Sequence, residues 1–495
     1  MKKRLLLFSA ILVIFAGAAH AQIKNLYNFQ QSEYPYGSLT QSGNVFYGMT
    51  YYGGTANKGY IFSINRDGTG FKDLWNFDDT GHVDSANGAY PLGSLILSGH
   101  KLYGMTHGTY NSTYGNVFSI NTDGSGYKDL WDFYDTGSYV GNANGAYPCG
   151  SLTLVRNKLY GMTNGGGAGA EGNIFSIDTN GGAYKDILDF SQTINGYTPY
   201  YGSLVLDGGK LFGTTWGRSC DECRTLNYGY GNVFSIDTDG THYKDVYVFS
   251  GPSGANPANS VVVSQNGKRL YGTTYEGGPS GFGGYGNIFG VDTDGTNFKA
   301  IHNFVNTDGA YSNNPLTLVG NTLYGMSTYG GSYLQYNEYG YGTIFSIDTS
   351  GSAFTTIFNF NLTSGANPYG GLSVIGDSLY GMTTDGGFNG SGEIFASAIV
   401  SPTSIQNIAA VNSQLSVYPN PSNGLFQLKI TNYELGATNL VEVYNMLGEK
   451  IYTQTNIENS TFNIDLGNQA NGVYMYRVLT TNGNMVGEGK VVIQK

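Results

Sequence analysis

The sequence predicts an all-β protein: a seven-bladed β-propeller followed by a small immunoglobulin-like β-sandwich. Three observations predict it. The motif [LF]YG[MT][TS] or a close variant recurs with glycines at Gly48, Gly104, Gly161, Gly213, Gly272, Gly325 and Gly381. The intervals are 56, 57, 52, 59, 53 and 56 residues, and a fixed period of this size marks a repeat architecture. Finally, no segment carries a sustained helical period. The repeated segments are short, aromatic and β-branched, and bounded by Gly, Asn and Asp, which is how strands read.

Each repeat has four such segments, a to d. They are represented by "GSLTL" at 150–154, "KLYGMT" at 158–163, "GNIFSID" at 172–178 and "YKDLWDF" at 127–133. The a–b connections are tight, as in "SGN" at 42–44 and "VGN" at 319–321. So are the c–d connections, such as "NTDGSG" at 121–126 and "DTDGTN" at 292–297, where Asp-Gly supplies the positive φ of a short hairpin. The b–c and d–a connections are long and irregular, for example "WGRSCDECRTLNYGYG" at 216–231. In an up-and-down meander these two kinds of connection lie at opposite ends. One end is trimmed to hairpins and the other carries every long loop, where function usually sits.

Four-stranded units of this size fit a propeller. The seventh unit, ending near residue 400, has segments a, b and c but no "YKDLWNF". "IKNLYNF" at 23–29 has the lettering of segment d with no unit before it. It is expected to enter the last blade as its outer strand, pairing an edge that would otherwise stay open.

Residues 1–21 read as a secretory signal peptide: Lys2, Lys3 and Arg4, a short apolar run, then Ala19-His20-Ala21. No later stretch approaches the ~20 apolar residues of a spanning helix. The formal charge is −11. An acidic chain without basic runs lacks the cations that nucleic acid or an anionic membrane requires, so neither is an expected partner. Cys220 and Cys223 in "CDEC" are candidates for a small disulfide in an oxidising compartment or for two free thiols, and Cys149 stands alone. No metal or other cofactor is expected, because no nearby Cys/His pair completes a ligand set.

The units resemble the choice-of-anchor tandem repeat called GloVer, through "LYGMT", "GG", "G[NT][IV]FSID" and "DG" in fixed order over residues 23–397. That family implies no established activity. A second module spans 414–495, after a linker at 398–413. It holds about seven strand-like segments, which suits a small sandwich. "YPNP" (Tyr418, Pro419, Asn420, Pro421), "GVYMYRV" with Gly472 and Tyr474, and Lys495 make it similar to the type A sorting domain of the type IX secretion system. The resemblance implies passage through the periplasm and outer membrane of a Gram-negative cell, with the secretion machinery as partner. The product is then extracellular or attached to the cell surface.

Catalytic signatures are absent: there is no H-E-x-x-H and no G-x-S-x-G. The Asp237/Asp239 and Asp292/Asp294 turns lack the remaining ligands of a calcium loop and recur where a hairpin is needed. The long-loop face is aromatic. Tyr51, His107, Asn164, Trp216 and Tyr275 follow strand b, joined by Tyr333, Tyr336 and Asp385. Rings beside amides and hydroxyls suit sugar or protein surfaces; packing of the loops on one another is the alternative use of the same residues. The expectation is a monomeric, non-enzymatic binder of a glycan or surface protein. The alternatives are a polysaccharide hydrolase or lyase, which needs a converging pair among Asp78, Asp79, Asp84, Asp135, Glu276, Glu338 and Asp385, or a passive surface component.

Overall fold

The computed structural model describes residues 23–78, 88–109, 113–133, 144–191, 195–217, 229–281, 283–333, 339–399, 415–430, 439–445, 449–457, 461–480 and 485–495. The expected signal peptide, most of the expected linker, Cys220, Cys223 and Tyr336 lie outside them. The chain divides into two compact units, Met1–Val400 and Ser401–Lys495. Every regular element among the described residues is a strand, and none is a helix long and apolar enough to cross a membrane.

The first unit is propeller-like, built from four-stranded antiparallel sheets. In the second sheet the strands are Ile96–Ser98 (a), Lys101–Thr106 (b), Asn116–Asn121 (c) and Lys128–Asp132 (d), paired in that order. The motif glycine of strand b answers to a phenylalanine of strand c. Gly104 pairs with Phe118, and a Cβ on Gly104 would lie 2.5 Å from the Phe118 ring. Gly48–Phe62, Gly161–Phe175 and Gly381–Phe395 repeat the arrangement. These rings are fully buried, each contributing about 1.5–3 kcal/mol by leaving water. The "YG" and "IF" of the repeat are therefore one packing unit.

In the sheet that holds Ser373–Ile375, Ser378–Thr383 and Glu393–Ala398, the strand beside Glu393–Ala398 is Ile23–Asn28. Its register is Lys24↔Ala396, Asn25↔Phe395, Tyr27↔Ile394 and Asn28↔Glu393, with a slip between Asn25 and Tyr27. The second sheet has the same register: Lys128↔Ser119, Asp129↔Phe118, Trp131↔Val117 and Asp132↔Asn116, with the same slip. This β-bulge, which adds one residue to strand d and sharpens its twist, recurs in every c–d pair. The extra residue turns its carbonyl toward the turn glycine of the next sheet. A Cβ on Gly68, where φ is +94°, would lie 2.7 Å from the Leu26 carbonyl oxygen; on Gly181 it would lie 2.9 Å from that of Leu130. Only glycine fits there and also tolerates that φ.

Neighbouring sheets also stack rings. Trp75 lies parallel to Tyr127 at 4.2 Å, Trp131 to Tyr184 at 4.0 Å, Tyr247 to Phe298 at 3.8 Å and His302 to Phe354 at 3.7 Å. Tyr27 stacks on Phe71 at 3.8 Å in the same way. His302 thus serves as a flat packing surface.

The second compact unit has a three-stranded sheet and a four-stranded sheet whose side chains share one core, including Phe426, Leu428, Val441, Ile464, Tyr474 and Val491. Strand Thr461–Asp465 alternates between buried and exposed positions, as expected for a sheet with one face in a core. The "YPNP" asparagine bridges strand and terminus. Asn420 donates to the Lys490 carbonyl at 3.1 Å and accepts from the Val492 N–H at 2.8 Å. Tyr474 donates to the Ala470 carbonyl, and the Lys495 ammonium to the carbonyl of Gln469. The buried Glu442 takes bonds from Tyr444, Lys450 and Arg477, and these hold its carboxyl down to about 2.

Candidate functional site

The long loops meet where the d–a connections run into strand a. Each brings a Gly-Ser pair or its equivalent close to the next. The backbone N–H of Ser38 donates to Ser94 Oγ, Ser94 to Ser151, Ser151 to Ser203, and Ser203 to Ser260, at 2.8–3.1 Å. Gly371 N–H donates to Ser38 Oγ at 2.7 Å. Pro315 and Gly371 replace serine in the last two d–a connections. Gly371 has no hydroxyl to offer, and the residue that would use it, Pro315, has no N–H to donate. The glycines admit this approach: a Cβ on Gly93 would lie 2.1 Å from the Gly150 oxygen. These serines line a small cavity of about 70 Å³ with Tyr36, Leu92, Cys149, Tyr201, Asn313 and Tyr369 among its other walls. Cys149 is buried and unbridged, and burial pushes its thiol up to about 12, so it is an inert thiol.

A larger cavity of about 680 Å³ opens beside it. Asn164, Trp216 and Tyr275 line it together with Glu171, Thr198, Tyr200, Tyr201, Asn313 and Tyr369. Three of the residues expected from sequence are thus brought together, one from each of three successive b–c loops. Trp216 sits 5.3 Å from Tyr200 and 5.4 Å from Tyr275, tilted by 50° and 44°. Tyr275 continues to Tyr311 at 5.1 Å. Glu171 accepts from the Thr198 hydroxyl at 3.0 Å. Burial pushes the phenols of Tyr36 and Tyr275 up to about 12, so both stay neutral hydroxyl donors.

The other expected residues lie elsewhere. Tyr51 packs among Tyr36, Tyr52 and Tyr90. His107 is only 2% exposed, faces Tyr147 at 5.2 Å, and is held neutral by burial. It packs inside the structure and offers almost no surface to a ligand. Tyr333 packs on the core around Ile357 and Phe360. Asp385 is half-buried, pairs through its backbone with Ala366, and has its carboxyl raised by burial. Of the other carboxylates weighed for hydrolysis, Asp78 and Glu276 are described and neither lines the cavity. The Asp-Gly turns use their own acids: Asp239 accepts from the Thr241 N–H and hydroxyl, and Asp237 pairs with Lys210 and His242.

Sequence reading missed Glu171, Thr198, Tyr200, Tyr201, Asn313 and Tyr369. Five of these six come from d–a connections rather than from the residues after strand b. A signal existed. "TPYYGS" at 198–203 is one residue longer than "YPYGS" at 34–38, and the extra tyrosine is Tyr200, one of the exposed rings of the wall.

The family described as the Gloeobacter/Verrucomicrobia repeat matches residues 13–227, and the secretion system C-terminal sorting domain matches residues 416–494. The chain is a GloVer-repeat protein with a type IX sorting domain. The sorting domain marks it for export to the cell surface or outside. The repeat match stops at residue 227, while the four-stranded sheets of the GloVer-repeat protein continue to Ala398. Similar solved structures include an oligogalacturonate lyase in complex with manganese (10% identity, 78% of this chain and 95% of that one, TM-score 0.48). They also include the β-propeller domain of the trilobed protease from Pyrococcus furiosus (11%, 74% and 96%, 0.42) and the phage phi92 endosialidase (12%, 96% and 87%, 0.42). Comparison with curated proteins finds no match.

Proposed function

We propose that the GloVer-repeat protein is a non-enzymatic, secreted or surface-attached binder of a glycan or protein. Its seven-bladed propeller spans residues 22–397, after a signal peptide at 1–21. Strand Ile23–Asn28 completes the last blade, and a linker at 398–413 leads to the sorting domain at 414–495. Support for the closed ring comes from the register beside Glu393–Ala398, the Tyr27–Phe71 stack and the Gly371–Ser38 hydrogen bond. The observation that carries the binding role is the cavity walled by Tyr200, Trp216 and Tyr275 at the end that bears the long loops. Pockets with aromatic walls and a few placed polar groups are the usual form of a ligand site.

The hydrolase reading needs two carboxylates flanking the bond to be cut. Glu171 is the one carboxylate among the described residues lining the cavity, which favours binding over cleavage. The test is a panel of polysaccharides and surface proteins incubated with the purified chain, scored for both retention and product. Retention without product is expected; release of shorter oligosaccharides sinks the non-enzymatic reading. Export through the type IX machinery is tested by removing residues 414–495, which should strand the propeller in the periplasm.

A further inference from the structure

We infer that a second ligand site lies at the hairpin end of the first compact unit, between the last sheet and the first, and that it takes a phosphate or sulfate group. A cavity of about 530 Å³ opens there, with Lys24 and Arg66 both in its wall. Asn44, Ser378 and Tyr380 add an amide and two hydroxyls. The volume suits a small molecule that carries such a group, since ligand pockets span ~300–1,000 Å³. An arginine fork beside a lysine point charge is the pairing that recognises oxyanions. Phosphate and sulfate have enough oxygens to meet both cations and still accept from a hydroxyl, whereas a carboxylate has only two.

The other junctions show what is unusual here. Lys72, Lys128, Lys185, Lys244 and Lys299 each donate to a carbonyl in the next sheet's c–d turn, at 2.5–3.3 Å. Lys24 holds the same register position in Ile23–Asn28 as Lys128 does in its strand. Yet among the described residues its ammonium makes no hydrogen bond or ion pair, and neither does the Arg66 guanidinium. Arg66 is a second departure. The five other c–d turns have Thr122, Thr179, Thr238, Thr293 and Thr349 at its position. The residue before it differs too. Asp178, Asp237 and Asp292 pair with Lys158, Lys210 and Arg269 across their hairpins. The matching pair in the first sheet is Asn65 and Val45, so no carboxylate meets Arg66 from that side. Asp67, the carboxylate in the cavity wall, is held by its own turn. It accepts from the Thr69 N–H at 2.9 Å and the Thr69 hydroxyl at 2.7 Å. Those bonds keep its carboxyl below the usual range, with a smaller pull from Lys24. The stretches that adjoin the cavity in sequence and lie outside the described residues, 1–22 and 400–414, contain no Asp or Glu.

The test titrates the full chain by calorimetry with inorganic phosphate, glucose 6-phosphate, glucose 6-sulfate, glucuronate and glucose at constant ionic strength. Wild type is compared with Arg66→Thr, which installs the residue of the other five turns, and with Lys24→Gln. Lys128→Gln is the control, because it removes the same charge from the same strand position at an ordinary junction. The expected result is binding of phosphate or of a phosphate or sulfate ester, weakened about tenfold or more by Arg66→Thr and by Lys24→Gln. Lys128→Gln should bind as wild type does, and all three variants should melt cooperatively. Binding that survives both Arg66→Thr and Lys24→Gln, or falls equally in Lys128→Gln, overturns the assignment to this cavity. Preference for glucuronate overturns the ligand class. Heat from none of the charged compounds overturns the inference outright and leaves the proposed role of the long-loop end standing.

Discussion

Two junctions in the first compact unit make the same contacts through different chain connections. In the second sheet, strand Lys128–Asp132 follows directly from Asn116–Asn121 through a hairpin. In the last, strand Ile23–Asn28 reaches Glu393–Ala398 from more than 360 residues away in sequence. Both show the same register slip, the same approach of a bulge carbonyl to the next turn glycine, and a ring stacked on the following sheet. The packing between sheets therefore defines strand d, and the hairpin is one way to deliver it. One difference stands out. Where the second sheet starts strand c with Asn116, the last places Glu393, 1% exposed, with Asn25 donating to its carboxylate and Thr383 Oγ1 taking its N–H.

Removing residues 23–29 tests this equivalence most severely. It strips Phe29, Tyr27 and Leu26 from the core they share with Phe46, Phe62 and Met382. Urea unfolding of the first compact unit should then shift by more than any single core truncation. An unchanged midpoint would mean that this strand closes nothing. Next in size, Phe29→Ala and Phe133→Ala remove rings at matching positions, 0% and 2% exposed. Each should cost about 3–5 kcal/mol. Equal losses support the equivalence, and a negligible loss at Phe29 alone breaks it.

Glu393 sharpens the contrast. Burial raises its carboxyl to about 7, with the Asn25 bond opposing. A carboxyl whose folded pKa lies above its unfolded value binds its proton more tightly when folded. Its contribution to stability is present below the unfolded pKa and is lost as pH rises through about 7. Glu393→Gln should remove that loss. The variant should gain on wild type between acidic and mildly alkaline pH by on the order of 1–3 kcal/mol. A gap between the two proteins that does not change from pH 5 to pH 8 sinks this assignment. The smallest effect is expected at the serine hydroxyls. Ser203→Ala deprives the Ser151 N–H of its acceptor and should cost about 1 kcal/mol; hydrogen exchange at Ser151 would register it.

Much of the fold was legible because its determinants are local and repeated. Gly-Phe pairing, Asp-Gly hairpins and the lettering shared by "IKNLYNF" and "YKDLWDF" each reflect one short-range constraint used again and again. The bulge was not legible. Leu130 looks like any strand residue, and its extra place in the register depends on the turn of the next sheet. The candidate site was read in part. Asn164, Trp216 and Tyr275 were found from one position after strand b, while Tyr200, Tyr201 and Tyr369 were missed. His107 occupies the same motif position as Trp216, yet it is buried against Tyr147.

By itself the sequence determined the period, the strand order within each unit, the end that bears the long loops and the sorting module. These follow from hydrophobic pattern, turn chemistry and motif order, all of which travel with the chain. Only the tertiary structure decided which aromatic rings face a cavity and which hold loops together. Exposure belongs to a residue and its neighbours jointly. At this end those neighbours come from loops one or more units apart, so identical motif positions acquire opposite roles.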